Sequence, residues 1–320
     1  MVDSMNKDDL DQAITLLKRN FIHPAAINET ELDRAALQGL LSRLGPGVAL
    51  LPDRDAASGG KPTPLYREIL GGHIGYLRLG SLTNANLQDM ETALKDFATK
   101  KTDALIIDLR ATPQTNDFAI TAEFAKRFAS KGKVLFSLRK AGAKEEQSFS
   151  VDRDPLYYGL IIVLLDEETA GGGEALAGVL KIQRKAMIIG QTTAGRAVEY
   201  SDLPLPSGKI LRVAVGELIL PELKPVFPHG LSPDLPVAMP LAEKREVFQQ
   251  SLERGMAEYV FERENPHFNE AALIAGRNPE IDAAANAQRR GGIPEKPALR
   301  DPVLQRAVDL VTSLAIYEKR

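Results

Sequence analysis

The 320-residue sequence contains no cysteine, which excludes disulfide bonds, thiolate catalysis and metal sites built on cysteine. Its four histidines include no pair at the spacing of helical metal ligands, so we expect no metal centre. A net charge of -3 provides no basic surface for nucleic acid, and no motif indicates a cofactor. No stretch approaches the roughly 20 consecutive apolar residues that a membrane-spanning helix needs.

The remaining composition is that of a soluble globular protein, with 44% apolar and 26% charged residues. The length is sufficient for one large domain or two ordinary ones. The N-terminus, Met1 to Lys7, is polar and lacks the apolar core of a signal peptide. Composition therefore leaves the compartment open.

The chain begins with an N-terminal helical segment, residues 1–51. Apolar residues at helical spacing predict helices from Asp8 to Asn20 and from Thr30 to Leu44, with Thr30 as the cap of the second. Residues 52–71 follow as a linker, because the stretch from Pro52 to Pro64 is rich in Asp, Ser, Gly and Pro.

Strands and helices alternate across residues 72–240, which predicts an α/β core. Most of the strands are continuous apolar runs, as in a sheet that is covered on both faces. The predicted strands are Ile74–Leu79, Ala104–Leu109, Val134–Leu138, Leu160–Leu165, Met187–Ile189 and Ile210–Leu220, and the predicted helices are Leu87–Thr99 and Asp117–Ser130.

Residues 241–320 make a C-terminal helical segment. The pattern predicts helices from Glu243 to Phe261 and from Asp301 to Glu318, with a polar stretch from Asn278 to Pro297 between them. The last helix carries an apolar stripe, which we interpret as core or as a contact in an oligomer.

The segment from Thr169 to Gly178 is the most informative part of the chain. It follows an apolar strand and opens an alanine-rich helix with three consecutive glycines, Gly171, Gly172 and Gly173. A strand, a tight turn and a helix often present a nucleophile where backbone N–H groups stabilise an oxyanion. This turn contains no serine, cysteine or lysine, so the geometry indicates an active site whose usual chemistry is absent.

Five segments resemble, in the right order, motifs of the C-terminal processing, or tail-specific, serine peptidases. The segments are Gly75–Leu79, Ala104–Arg110, Glu174–Gly178, Ile189–Gly195 and Gly230–Asp234. They match the opening strand, the strand ending in Asp-Leu-Arg, the helix after the nucleophile, the turn before the catalytic lysine and the Gly-x-x-Pro-Asp signature. The resemblance implies a crotonase/ClpP-like α/β core with flanking N- and C-terminal helices, and a peptide or protein partner.

The resemblance fails at the catalytic positions when it is transferred residue by residue. The family's serine corresponds to Gly171 and its lysine to Arg196, and their separation of 25 residues equals the family's spacing. Tyr200 stands where the family has an assisting glutamine, and Gln114-Thr115 replaces a glycine pair that supplies an oxyanion N–H. Glycine has no nucleophilic atom, and arginine, with a pKa above about 12, accepts no proton. We therefore expect no intact catalytic residue.

A second departure concerns substrate capture. In the family, a PDZ domain usually lies between the N-terminal helices and the first core strand, whereas about 20 residues separate Leu51 from Gly72 here. A domain needs at least about 50 residues, so we expect no PDZ domain at this place. The family mostly works outside the cytoplasm, and the resemblance thus favours a periplasmic location.

Two interpretations of the glycine turn stay open. The consecutive N–H groups of Gly171, Gly172 and Gly173, together with the Arg196 guanidinium, would suit a peptide carboxylate or a small anion. Alternatively, the glycines only form a tight turn, and Arg196 pairs with a nearby acid such as Glu199.

The expected function is that of a proteolytically inactive relative, a pseudopeptidase that binds or scaffolds through the inherited cleft. One alternative is an active serine-type endopeptidase with displaced catalytic residues, for which Thr169 and Ser201 are the nearest hydroxyls. The other is a small-molecule carrier, since retinoid-binding relatives of this fold also lack peptidase activity.

Overall fold

The computed structural model describes residues 2–52, 61–261 and 299–318. The chain divides into two compact units. The smaller unit consists of Met1–Ser58 with Tyr200–Ala214, and the larger unit of Gly59–Glu199 with Val215–Arg320.

Two helices, α1 (Lys7–Asn20) and α2 (Glu29–Leu44), open the smaller unit, as the sequence predicts. The cap of α2 differs from the prediction, because Asn28 Oδ1, not Thr30, accepts a hydrogen bond from Glu31 N at 2.9 Å. Asn28 has the extended backbone of an N-cap residue, whereas Thr30 already lies within the first helical turn.

Short strands complete the smaller unit. Strand β1 (Val48–Leu51) pairs antiparallel with the first half of the long strand Ile210–Ile219, in the register Val48↔Val213. The strand Val198–Pro204 pairs with the same long strand. The sequence analysis missed β1 and Val198–Pro204, because short strands of mixed polarity carry little periodic signal.

The larger unit is built on a six-stranded, mostly parallel sheet, which confirms the predicted α/β core. Its strands in chain order are β2 (Tyr66–Leu70), β3 (Ile74–Arg78), β4 (Ala104–Asp108), β7 (Leu160–Leu165), β8 (Met187–Gly190) and β11 (Leu235–Pro236). The spatial order is β11-β8-β7-β4-β3-β2, and only β2 pairs antiparallel with its neighbour.

Helices cover both faces of this sheet. They are α3 (Asn84–Thr99), α4 (Phe118–Lys126), α5 (Gly172–Arg184), α6 (Leu241–Arg254) and α7 (Pro302–Glu318). Successive residues of β4 enter opposite clusters, Leu105 the cluster with α3 to α5 and Ile106 the cluster with α6 and α7. The continuous apolar runs in the sequence therefore reflect strands that are buried on both sides.

A second sheet continues from the long strand, β10 (Ile210–Ile219). The second half of β10 pairs antiparallel with β5 (Val134–Lys140), in the register Gly216↔Lys140. β5 in turn pairs with β6 (Gln147–Ser150), whose polar sequence carried no strand signal. Val198–Pro204, which precedes β10, is β9.

The predicted helix from Glu243 to Phe261 is wrong at its C-terminal end. α6 stops at Arg254, because Gly255 adopts a φ of 82° that leaves the helical path. The chain is then held by Glu68, whose Oε2 accepts from Met256 N at 2.6 Å.

Two other helices differ from their predictions by about one turn. α3 begins before Leu87, because Thr83 Oγ1 caps it by accepting from Asn86 N at 3.2 Å. α4 ends at Lys126, before the predicted Ser130.

A buried ion-pair network anchors α7 to the sheet. Arg110, which follows β4, reaches Asp108 and Asp301, each at an N–O distance of 2.7 Å. Asp301 also accepts from Leu304 N at 2.9 Å and so caps α7. Burial alone would raise the pKa of Asp108, but the charge and hydrogen bonds of Arg110 outweigh it and lower that pKa.

Parts of two predictions lie outside the described residues. The polar stretch from Asn278 to Pro297 falls wholly within residues 262–298, and the predicted linker includes residues 53–60. The described part of that linker contains strand β2, which the sequence analysis missed.

Candidate functional site

The candidate site lies at the carboxyl end of β7, where the chain turns into α5. Asp166 Oδ1 accepts from Glu168 N and Thr169 N, both at 3.1 Å, and holds the turn in place. Thr169 O accepts from Ala194 N at 3.0 Å, which brings the turn after β8 alongside. The two segments that the resemblance assigns to nucleophile and base are thus neighbours in the fold.

Gly171, which the resemblance matches to the family's serine, has a conformation that only glycine adopts easily. Its φ is 58° and its ψ is -117°. A Cβ at this position would lie 2.5 Å from Thr115 O and 3.3 Å from Gln114 Cγ. The turn that carries Gln114 and Thr115 therefore occupies the space that a serine side chain would need.

The three glycine N–H groups all donate within the protein. Gly171 N donates to Glu174 Oε2 at 3.0 Å, Gly172 N to Thr115 O at 3.0 Å and Gly173 N to Ala170 O at 3.1 Å. The predicted anion site at Gly171, Gly172 and Gly173 would thus require these acceptors, above all the Thr115 carbonyl, to move away.

The Glu174 carboxylate joins the turn before α5 to the turn after β8. It is fully buried, and its Oε2 accepts from Gly171 N at 3.0 Å and from Arg196 N at 2.7 Å. Its Oε1 accepts from Gly195 N at 2.7 Å and from the Thr193 hydroxyl. Gly171 and Arg196 therefore meet through one carboxylate oxygen, although 25 residues separate them in the sequence.

Burial raises the pKa of Glu174, while the hydrogen bonds from Thr193 and the three backbone N–H groups lower it, and burial prevails. The sequence analysis used Glu174 only as a motif match and missed this structural role. The signal was present, because a glutamate three residues after the N-cap is typical of a side chain that reaches back to the cap N–H.

Arg196 presents its side chain to solvent at the position of the family's base. It makes no ion pair with any described residue. The predicted alternative, a pair with Glu199, is wrong for the described structure, because Glu199 Oε1 accepts from Lys140 Nζ at 2.9 Å instead. A guanidinium stays protonated, so Arg196 can bind an anion but cannot act as a base.

Tyr200, at the position of the assisting glutamine, belongs to the smaller unit. Its hydroxyl donates to Pro46 O at 2.6 Å, and the Arg212 guanidinium carbon lies 5.9 Å from the centre of its ring. In the structure these contacts hold β9 against the segment before β1 and against β10 within that unit.

The turn that blocks Gly171 is itself well supported. Thr115 forms a parallel bridge with Gly171, and its Oγ1 accepts from Asp117 N at 3.1 Å. Asp117 Oδ1 accepts from Ile120 N at 3.0 Å and caps α4. The contact with Gly171 is therefore built into the start of a core helix.

The two hydroxyls considered as displaced nucleophiles, Thr169 and Ser201, lie in a buried turn and in a strand. Thr169 is fully buried, donates its hydroxyl hydrogen to Asp166 Oδ1 at 3.2 Å and accepts from Asp166 N at 3.2 Å. It caps the turn, as hydroxyls near helix starts usually do. Ser201 lies in β9, in the smaller unit.

Within residues 2–52, 61–261 and 299–318, no three His, Asp or Glu side chains are grouped in a way that could hold a metal ion. No helix in these ranges is long and apolar enough to cross a membrane.

Comparison with known proteins places this geometry in a family. Residues 73–237 match the profile of peptidase family S41. The carboxy-terminal-processing protease of Bartonella bacilliformis is 30% identical over 225 residues, which are 67% of this chain and 51% of that protein. The carboxyl-terminal-processing protease of Synechocystis is 25% identical over 177 residues, 55% of this chain and 41% of that protein. The chain thus spans about half the length of these relatives, or less.

The fold has a counterpart among solved structures. A candidate peptidase of Parabacteroides merdae superposes with a TM-score of 0.53 over 88% of this chain and 89% of that chain, at 16% sequence identity. That likeness concerns the fold alone. The profile match and the Bartonella relative confirm the resemblance that the five motifs indicated: the chain belongs to peptidase family S41, the C-terminal processing peptidases.

Proposed function

We propose that this member of family S41 is proteolytically inactive and acts as a binding or scaffold protein. The contact at Gly171 is the observation that carries the proposal. The Thr115 carbonyl lies 2.5 Å from the position of a Cβ there, so position 171 has neither a nucleophilic side chain nor the space for one. Because Arg196 replaces the base, two separate requirements of serine-type hydrolysis are unmet.

The proposed ligand is a carboxylate, either a peptide C-terminus or a small anion, that binds at Arg196. The three glycine N–H groups already have acceptors, and the Arg196 guanidinium lies exposed without an acid partner among the described residues. A guanidinium binds a carboxylate through two parallel hydrogen bonds, which gives direction as well as charge. In this proposal a short linker replaces the family's PDZ domain, and the Arg196 guanidinium carries the recognition itself.

Inactivity is tested by exposing the full chain to a serine-reactive phosphonate and to an unfolded protein substrate. We expect neither covalent labelling nor cleavage. Labelling at any serine or threonine, with matching cleavage, would overturn the proposal and favour a displaced nucleophile.

Stepwise restoration tests why activity is absent. The double variant Gly171→Ser with Arg196→Lys is expected to stay unlabelled, because the Thr115 carbonyl still fills the site. Adding Gln114→Gly and Thr115→Gly is expected to give labelling, because the turn can then retreat. Labelling of the double variant alone would show that the turn does not block the position.

Carboxylate binding is tested with one fluorescent peptide prepared with a free and with an amidated C-terminus. The free form should bind more tightly, and Arg196→Ala should remove the difference. Arg67→Ala is a matched control, since Arg67 is an exposed arginine of the same unit. Equal binding of both peptide forms by the unaltered protein would refute this ligand class.

A further inference from the structure

We propose that the outer edge of strand β2 binds an extended segment of a partner protein as an additional strand. β2 (Tyr66–Leu70) lies at one end of the six-stranded sheet and, among the described strands, pairs with β3 alone. β8, which leads to Arg196, lies four strands away, roughly 19 Å at about 4.8 Å per strand. The proposed surface is therefore separate from the carboxylate site proposed at Arg196.

The hairpin between β2 and β3 shows which backbone groups of β2 point outward. Leu70 O accepts from His73 N at 3.2 Å, so the backbone groups of Leu70 point toward β3. In an antiparallel strand, the N–H and C=O of one residue point to the same side, and successive residues alternate. The N–H and C=O groups of Arg67 and Ile69, here called the β2 edge, therefore point away from β3. No described residue forms a hydrogen bond with them.

The β2 edge lacks the features that usually protect an edge strand. Proteins blunt such edges with lysine, proline, a β-bulge or a very short strand. β2 contains neither lysine nor proline, and its register with β3 runs without a shift from Tyr66↔Arg78 to Leu70↔Ile74. At the other end of the same sheet, β11 has two residues, one of which is Pro236. Of these two ends, the β2 end is the one that can accept another strand.

Charge selects a different protein over a second copy of β2. A symmetric antiparallel pair that joins two β2 edges has three registers, centred on residue 67, 68 or 69. The first places Arg67 opposite Arg67 and the second Glu68 opposite Glu68, and like charges directly opposite destabilise a sheet. The third covers only residues 68–70, because Gly71, with a φ of 56°, already belongs to the turn.

The side chains along β2 indicate the chemistry of the partner segment. Arg67 is exposed and forms no ion pair with a described residue, so an acidic residue opposite it would supply a counter-charge. Ile69 is partly buried against the cluster with α3 to α5, which favours an apolar residue opposite it. Arg67 and Ile69 lie on the same face of β2, because they are two residues apart. The partner segment therefore carries an acidic residue two positions from an apolar one, and main-chain hydrogen bonds supply the affinity.

The test uses an acetylated and amidated peptide in which valine and threonine alternate on either side of one central glutamate. Its blocked ends remove the terminal carboxylate, so the result does not depend on the site proposed at Arg196. We expect the peptide to bind the unaltered full chain. Amide hydrogen exchange at Arg67 and Ile69 should be fast without the peptide and at least about tenfold slower with it.

Two results of the exchange measurement would overturn the proposal. Slow exchange at both amides in the dilute protein without peptide would show that another part of the chain covers the β2 edge. Protection that grows with protein concentration in the absence of peptide would show that a second copy covers it instead.

Variants of Arg67 separate the backbone from the side chain. Arg67→Pro removes one outward N–H, a change that edge strands tolerate, and should weaken peptide binding about tenfold. Arg67→Ala keeps the N–H and should remove only the preference for the glutamate peptide over the same peptide with a central lysine. Arg306→Ala is the matched control, because Arg306 is an exposed arginine of α7, and it should change neither property.

Circular dichroism shows whether Arg67→Pro keeps its fold, and the exchange measurement on the unaltered protein decides the question if it does not. Equal peptide binding by the unaltered protein and by folded Arg67→Pro would refute strand addition at β2. Equal binding of the glutamate and lysine peptides by the unaltered protein would refute the acidic partner.

Discussion

Two buried carboxylates organise the larger unit, and they are held in opposite ways. Glu174 sits at the candidate site and accepts from three backbone N–H groups and one hydroxyl. Asp108 lies at the end of β4 and is paired with the Arg110 guanidinium. Both are fully buried, yet the pKa of Glu174 is raised and that of Asp108 is lowered. The N–H and hydroxyl dipoles around Glu174 do not offset the rise in its pKa that burial causes, whereas the full charge of Arg110 does so for Asp108.

The difference shows which parts of the candidate site depend on side-chain identity. Glu174 binds the backbone N–H groups of residues 171, 195 and 196, and every residue except proline supplies such a group. The side chains at positions 171 and 196 can therefore change without loss of these hydrogen bonds. The network of Arg110 depends on particular side chains, so it should tolerate no such change.

Removing the Arg110 guanidinium from the buried ion-pair network should have the largest effect on stability. Arg110→Met leaves Asp108 and Asp301 buried without a counter-charge, and we expect a loss of about 3 to 5 kcal/mol in the free energy of unfolding, measured with urea. Arg139→Met, which breaks the exposed pair with Glu217, should leave the urea midpoint nearly unchanged. Similar losses for both variants would contradict the importance of burial.

Adding a side chain at Gly171 should have the second largest effect on stability. Gly171→Ala should cost about 2 to 4 kcal/mol, because it combines a strained φ with a clash against Thr115 O. Gly132→Ala is a control for the backbone strain alone, because Gly132 has a φ of 82° and no atom within 4 Å of its Cβ position. It should lower the free energy of unfolding by about 1 to 2 kcal/mol. Equal losses of unfolding free energy in the two variants would mean that the Thr115 carbonyl moves away from the new side chain without a measurable cost.

Changing the acceptor of the backbone donors should have a smaller effect. Glu174→Gln keeps one acceptor oxygen but turns an amide NH₂ toward N–H groups, so at least one buried donor loses its partner. We expect a loss of about 1 to 3 kcal/mol in urea unfolding. Glu167→Gln, an exposed neighbour in the same turn, should change stability by less than about 0.5 kcal/mol. If Glu174→Gln left the free energy of unfolding unchanged, water or a movement of the turn would have to satisfy the backbone N–H donors.

The pH dependence of stability should distinguish the two carboxylates most finely. The raised pKa of Glu174 means that its contribution is fully present below its unfolded value of about 4.3 and declines as pH rises through the folded value. The deficit of Glu174→Gln relative to the unaltered protein should therefore shrink as the pH rises. Asp108 has a lowered pKa, so its contribution is present above about 3.9 and is lost as the pH falls through the folded value. A Glu174→Gln deficit that grows with pH would contradict the raised pKa.

The predicted fold agrees with the structure where burial leaves a repeated pattern. The apolar runs of β3, β4 and β7 and the helical spacing in α1 and α7 were all readable in the sequence. β1, β6 and β9 were not, because short strands of mixed polarity are decided by their partners. The end of α6 was missed because Gly255 alone is a weak stop signal, and Glu68, far away in the sequence, completes it.

The sequence by itself determined the family, and it provided the prediction that Gly171 and Arg196 stand at the family's catalytic positions. Spacing predicted the match of these two residues to the family's serine and lysine, and a glycine and an arginine lack the chemistry of a serine and a lysine. Only the tertiary structure decided that the Thr115 carbonyl fills the space at Gly171 and that Glu174 binds both segments. The reason is physical: hydrogen bonds from backbone N–H groups depend on which distant carbonyl or carboxylate the fold brings near, and no residue type in the sequence records that.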